Sequence, residues 1–249
     1  MFIKITLPLT GNLFTQLLGA VQFDGVTKGR MGNHMVKMDA RGVPIVRTTT
    51  KYNIAANSFV DIHHSLVDCI NANLTGIPAQ HFNNALVEVY DRNYTKMGFH
   101  SDQALDLQPE SYIGVFSCYE KPEEQLRKLV VQDKASLEEK EYLMTHHSVI
   151  LFSVENNTKF LHKIVLDGVP GSDNRWLGIT FRVSKTYIQF EGEVARFADG
   201  AVLELASEAQ EKEFFKLRGE ENRSMGFVYP ELRYTINKAD MIPPERMKS

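Results

Sequence analysis

Between residues 85 and 184 the chain repeats one texture: a short run rich in β-branched and aromatic residues, then a turn signal. The runs fall at 85–90, 112–118, 128–131, 149–154, 159–166 and 177–184, with little helical patterning between them. Six short strands at such spacing restrict this region to a β-sandwich or jelly roll. The flanks differ. Residues 2–7 alternate as a short strand, and Leu13, Phe14, Leu17, Leu18 and Val21 then share one helical face. Residues 25–42 read as a glycine-rich loop or hairpin and 43–50 as a β-like stretch. Ser58 with Asp61 resembles a capping box ahead of Phe59, Ile62, Leu66 and Ile70, which predicts an amphipathic helix ending near Asn73. The acid-rich stretch 133–141 reads as an inserted turn or short helix. Beyond Glu191, the residues Leu203, Ala206, Gln210, Phe214 and Leu217 predict a helix, followed by a proline-containing tail over 230–249.

With 249 residues, 43% of them hydrophobic and 24% charged, the chain can bury a full core, which excludes disorder or a coiled coil as its main state. Cys69 and Cys118 are too few for a disulfide framework or a cysteine-rich zinc site, so a reducing, cytoplasmic setting is expected. Residues 1–22 carry only Lys4 as a charge, yet Thr6, Pro8, Thr10, Gly11 and Asn12 interrupt any apolar h-region, and no later stretch is long enough to span a membrane. Net charge is -3, but Lys28, Arg30, Lys37, Arg41, Arg47 and Lys51 face one acid, Asp39, so residues 28–51 hold +5 and the remainder -8. That run reads either as a solvated ribbon or as a landing strip for an anionic substrate.

Within the β-rich region stands Gly98-Phe99-His100-Ser101-Asp102, with His162 sixty residues further on. Residues i and i+2 of a strand project to the same side, roughly 6 to 7 Å apart, so His100 and Asp102 can converge on one ion. A third ligand from a facing strand gives two imidazoles and one carboxylate with vacant positions, the set that suits non-haem Fe(II) oxygenases. A dicarboxylate bound to iron through one end needs a fixed cation for the other. Arg182, at the end of the run after His162, offers a bidentate fork that stays charged. His146 and His147 compete with His162 on paper but read as turn residues. His34, His63, His64 and His81 have no partner at ligand spacing, so packing or solvent exposure is expected for them.

These pieces, Val87-Glu88-Val89-Tyr90 leading to His100-Ser101-Asp102, then His162, then Ile179-Thr180-Phe181-Arg182, resemble the Fe(II)- and 2-oxoglutarate-dependent dioxygenases, and among them the AlkB-like branch, in order and approximate spacing. The resemblance implies a mainly β chain with flanking helices (α+β) around a double-stranded β-helix, the jelly-roll core. Residues 1–190 would form the dioxygenase domain, with a recognition or lid segment over about 1–80 and the core over 81–190; residues 191–249 would be a helical extension packed on it.

By position, the resemblance assigns His100, Asp102 and His162 to the metal, and Arg182, Tyr90 and Thr180 to 2-oxoglutarate. It departs from the family at Glu88, where an asparagine is common, and at Trp176 and Gly178, where the branch carries an arginine and an asparagine. Arg175 is one position off, which in a regular strand puts it on the face opposite Arg182 unless a bulge rotates it back. Arg47, Tyr52 and Trp176 are the candidates for holding substrate, the first by phosphate contact and Tyr52 by stacking on a base.

The implied chemistry is oxidative decarboxylation of 2-oxoglutarate by O2 to succinate and CO2, coupled to hydroxylation or oxidative demethylation of a second substrate. Three readings follow: a modified base in nucleic acid or a nucleotide, a small metabolite such as an amino acid, or a cupin-like protein that binds metal without turnover. Succinate release separates the third from the others. The acidic total argues for a small or nucleotide-sized target over duplex DNA.

Overall fold

Along Trp176–Arg182 the side chains alternate between two apolar layers. Leu177, Ile179 and Phe181 join a cluster with Phe14, Leu17, Leu66 and Ile70, while Trp176 joins Tyr90, Val115, Phe152, Leu129 and Ile164. The outer face of this strand is apolar throughout, while the inner face passes from Trp176 through Gly178 to Thr180 and Arg182 and so turns polar toward its end.

The computed structural model of the protein describes residues 2–95, 97–124, 127–167 and 173–244, so the end of the predicted tail, 245–249, lies outside the described residues. In chain order its elements begin with β1 (Ile3–Thr6), α1 (Phe14–Gly19), β2 (Asp24–Thr27), β3 (Arg30–Val36), β4 (Val43–Pro44), β5 (Asn57–Ser58) and α2 (Asp61–Ala72). The jelly-roll strands follow: β6 (Asn84–Tyr90), β7 (Tyr112–Tyr119), β8 (Arg127–Asp133), β9 (Glu139–Leu143) and β10 (Ser148–Ser153), then α3 (Val154–Lys159), β11 (Phe160–Leu166) and β12 (Trp176–Arg182). The chain continues through β13 (Tyr187–Glu191), β14 (Val194–Phe197), β15 (Glu204–Leu205), α4 (Glu208–Arg223) and β16 (Tyr234–Thr235), and a 3-10 turn follows at Lys238–Met241.

The large sheet runs β1-β10-β7-β12-β6-β3-β2, with β5 on β3; a three-stranded sheet, β11-β8-β9, faces it. Helices α1 and α2 cover the outer face of the large sheet, and the space between the sheets is the second apolar layer. This is the jelly-roll core with flanking helices that the family resemblance implies, one of the two architectures the strand spacing left open. A smaller sheet, β14-β13-β4, stands beside it. Helix α4 packs Phe214 and Leu217 against Leu105, Leu232 and Tyr234.

Several boundaries differ from the sequence reading. Only Val43–Pro44 of the expected β-stretch 43–50 pairs, because its remaining backbone turns toward the interior polar network described below. Helix α2 starts two residues later than the Ser58 box implied: Val60 is its N-cap, and the His63 ring accepts the Val60 N–H at 3.1 Å. The acid-rich stretch 133–141 is the β8–β9 turn and half of β9. Leu203 and Ala206 precede α4, whose N-terminus is set by Ser207 and Gln210 bonding each other reciprocally. Residues 2–80 put β1, β2, β3 and β5 into the large sheet.

Candidate metal centre

His100 and Asp102 lie in the irregular segment between β6 and β7, and His162 lies on β11. A single antiparallel bridge joins the segments: the His100 N–H donates to the His162 carbonyl at 3.0 Å, and the His162 N–H returns the bond at 2.6 Å. The two imidazoles are therefore set side by side, with centroids 4.6 Å apart. One donor atom from each of His100, Asp102 and His162 lies within 4.8 Å of the others. The expected convergence is present, but it comes from this bridge and the turn after it rather than from a regular strand carrying His-x-Asp.

The chemistry of this donor set fits a divalent cation. His100 Nδ1 lies 2.9 Å from the Gly98 carbonyl and can only donate to it, which leaves Nε2 as the lone pair. Burial, and then the neighbouring His162, push the His100 imidazole down to about 3, so it is neutral at physiological pH. Burial alone would raise the Asp102 carboxyl, but Arg182 and His162 outweigh it and hold the group well below the usual carboxylate range. Arg182 Nε and Nη2 both reach Asp102 Oδ2 at 2.7 Å. Oδ1 is turned to His162 Nε2, 3.6 Å away. The carboxylate thus offers one oxygen inward while the guanidinium takes the other. The Asn157 amide clamps the Asp102 backbone from both sides, accepting its N–H and donating to its carbonyl, each at 2.7 Å.

A cavity opens on the triad, with Arg30, Thr48, Glu88, Thr180, Arg182 and Arg218 among its walls. Thr180 shares the inner face of β12 with Arg182, as the alternation requires. Arg182 Nη1 is buried without a hydrogen-bond partner among the described residues. Tyr90 lies one layer deeper, donating its hydroxyl to Glu88 Oε2 at 2.6 Å, while Arg30 Nε holds Glu88 Oε1 at 2.7 Å. Thus the glutamate that replaces the usual asparagine carries its own counter-ion from β3.

The other assigned residues are elsewhere. Pairing runs without a bulge from Trp176↔Tyr90 to Arg182↔Asn84, so Arg175 stays on the outer side, where it forks onto Glu120 at 2.9 and 2.7 Å. Trp176 is buried, its ring 4.8 Å from that of Tyr90 and lying over Gly178, where an added Cβ would come within 1.9 Å of the indole. The glycine is required there by the tryptophan. Arg47 is buried as well, forked onto Asp106 at 3.0 and 2.7 Å and donating to the Leu232 and Tyr234 carbonyls. Tyr52 is fully buried, edge-on to His34. Neither presents a surface on which a base or phosphate could sit.

A second cluster, Cys118 with His146 and His147, has donor atoms within 4.8 Å of one another. It is poorly suited to an ion. His146 Nδ1 accepts the Tyr119 N–H at 3.0 Å, so its other nitrogen carries the proton, and burial pushes the Cys118 thiol up to about 12.

The family model described as the 2OG-Fe(II) oxygenase superfamily matches residues 18–182, about two thirds of the chain. The chain belongs to that superfamily. It is therefore an Fe(II)-, 2-oxoglutarate- and O2-dependent oxidoreductase of the dioxygenase type. Among solved structures, one titled "The structure of OsALKBH1" is similar at 12% identity, covering 62% of this chain and 78% of that one, with a TM-score of 0.39. No curated protein matches.

Sequence reasoning missed Arg30, Asn157 and Arg218 at this oxygenase's centre. No motif marks them. Arg30 lay inside the +5 run, read as a solvated ribbon or a landing strip, and neither Asn157 nor Arg218 drew a reading.

Proposed function

We propose that this protein is an AlkB-like dioxygenase that hydroxylates or oxidatively demethylates a small or nucleotide-sized substrate. The observation that carries the reading is the convergence of His100, Asp102 and His162 at the floor of a cavity. Those three side chains would hold Fe(II), which supplies O2 activation coupled to oxidation of 2-oxoglutarate.

The rest falls to the chain's own groups. Arg182 fixes the Asp102 carboxylate and, through its remaining Nη1, would offer a donor to a carboxylate of 2-oxoglutarate. Thr180 adds a hydroxyl on the same wall. Glu88 lines the cavity, and Tyr90 behind it holds the carboxylate through its hydroxyl. Leu86, Val115, Leu129 and Ile164 supply apolar wall, which excludes solvent from the carbon to be oxidised.

Charge pairing favours a compact target over a polymer. In the cavity Arg30 faces Glu88, Arg182 faces Asp102 and Arg218 faces Glu221. Outside it, Arg41 pairs with Asp39, Arg47 with Asp106 and Lys51 with Glu211. Four of the six cations in the 28–51 run are thus already matched by acids, and the run does not act as a landing strip for a long polyanion. Thr48, Thr49 and Thr50 instead place uncharged hydroxyls at the cavity wall.

The test is a panel of metabolites, modified nucleosides, nucleotides and a methylated oligonucleotide, scored by succinate release. We expect turnover with a monomeric compound and none in Asp102→Ala. Succinate formed equally by Asp102→Ala removes the metal assignment, and turnover confined to the oligonucleotide removes the compact-substrate reading.

A further inference from the structure

The segment that carries two of the three metal ligands has almost no secondary structure of its own. After the His100 bridge, the next backbone donors turn to side chains from other elements. The Ser101 N–H goes to Asn222 Oδ1 at 3.0 Å, Asp102 N–H to Asn157 Oδ1 at 2.7 Å, and Ala104 N–H to Glu221 Oε1 at 2.8 Å. Two of these three acceptors lie on α4, outside the matched region 18–182.

The same helix also grips the loop from the other side. The Ser101 hydroxyl donates to Asn222 Oδ1 at 3.2 Å, and Arg218 reaches the Ser101 carbonyl. Glu221 is buried, and its second oxygen accepts from Arg218 and from the Tyr229 hydroxyl, both at 2.7 Å. Lys134, in the β8–β9 turn, ties down the end of the helix by donating to the Glu221 carbonyl at 2.8 Å and the Ser224 carbonyl at 3.0 Å. Arg218, Glu221 and Asn222 form one turn of α4, and Phe214 and Leu217, one turn earlier on the same side of the helix, pack into an apolar cluster.

We infer that Glu221 and Asn222, with Arg218, are positioning residues of the metal centre: α4 sets the backbone of residues 100–104, and thereby the geometry with which His100 and Asp102 meet a cation. This rests on the reading of His100, Asp102 and His162 as the metal ligands. The C-terminal helix is on this view a part of the catalyst rather than an appendage. Rigid support behind ligands of this kind is worth roughly 10- to 100-fold in metal affinity.

The experiment is a titration of the full chain with Co(II) alone, without co-substrate, followed by visible absorption and calorimetry. Melting temperatures of the metal-free variants are measured alongside. Asn222→Leu and Glu221→Met should each weaken Co(II) binding at least about 10-fold, and Asn222→Asp, which keeps an acceptor for the Ser101 N–H, should recover most of it. Leu217→Ala loosens the same helix through its apolar face and should lower the melting temperature while leaving Co(II) affinity within about twofold. If Asn222→Leu and Glu221→Met bind Co(II) like the parent, or lose no more affinity than Leu217→Ala, the inference is wrong. Asp102→Ala separates the two levels: affinity lost there but kept in Asn222→Leu overturns only the role of α4. Affinity kept in Asp102→Ala overturns the ligand assignment itself. Should Asn222→Leu fail to fold, the difference between the parent and Asn222→Asp on one side and Glu221→Met on the other decides the matter.

Discussion

Asp102 offers one oxygen to the centre because Arg182 occupies the other. Burial favours the neutral acid, and only the guanidinium and the neighbouring imidazole keep the group ionised. Arg182→Met therefore removes two things together: a donor for 2-oxoglutarate and the charge that holds Asp102 deprotonated. The expected outcome is a 2-oxoglutarate KM raised at least about 10-fold, together with loss of Co(II) binding at a higher pH than in the parent, since the released carboxyl titrates upward. A rise in KM with an unchanged pH threshold for Co(II) would assign Arg182 to the co-substrate alone. The grouping of His100, Asp102 and His162 was legible through the order and spacing of the family resemblance, whereas the bridge that gathers them was not. Trp176 and Gly178 were visible as two separate departures from the family, and Trp176 as a substrate candidate, although it is buried. That the indole lies over the glycine, so that one substitution requires the other, is a contact between side chain and backbone that no spacing encodes. The same limit explains Arg47 and Tyr52: residue type suggested recognition, but each is fully enclosed by partners distant in sequence.

Apolar runs bounded by turn signals carried the element scale. All six β-runs of the central region correspond to strands within a residue or two at either end, because both faces of the sheets are apolar and turn residues separate the runs. Strand β3, Arg-Met-Gly-Asn-His-Met-Val, forms with β2 the hairpin that the 25–42 reading allowed; its polar residues inside are satisfied rather than exposed, Asn33 donating to the Gln22 and Ala55 carbonyls at 3.0 and 2.9 Å. Apolar positions starting at Leu203 placed the last helix several residues early, since Leu203 is buried against β13 and β14 and does not belong to the helical face. The true start is chemical. Gln210 Oε1 accepts the Ser207 N–H at 2.8 Å and the Ser207 hydroxyl caps in return. Ser207→Ala should cost about 1 kcal/mol and lower the melting temperature by a few degrees. Asn222 lies four turns away at the other end of α4, so Co(II) affinity should be unchanged; a loss comparable to that of Asn222→Leu would show that the whole helix, rather than its last turn, supports the loop.

At the scale of the whole molecule, the basic N-terminal run and the acidic remainder fold onto each other, and their deepest junction lies under the C-terminal segment. Arg47 forks onto Asp106, and Asp240 lies close by, accepting from the Thr235 hydroxyl at 2.6 Å. Burial, helped by the like charge of Asp106 and opposed by Thr235 and Arg47, pushes the Asp240 carboxyl from 3.8 up to about 7. The folded protein thus binds a proton there that the unfolded chain releases. Between about pH 4 and 7 this group lowers stability as pH rises, and above 7 its full cost remains, on the order of a few kcal/mol. Buried histidines act in the opposite sense. Burial depresses His34 to about 3 and His63 to about 4, so the unfolded chain takes up protons first and stability falls as pH drops below about 6.5. The parent should accordingly be most stable near neutrality. Asp240→Asn keeps an acceptor for Thr235 and removes the ionisation, so it should melt with the parent near pH 4, diverge from it as pH rises, and exceed it by roughly 5 °C at pH 8. Melting curves at pH 4, 6 and 8 check this. Parallel curves across that range would mean that Asp240 is ionised in the folded protein, with Arg47 serving both carboxylates at once.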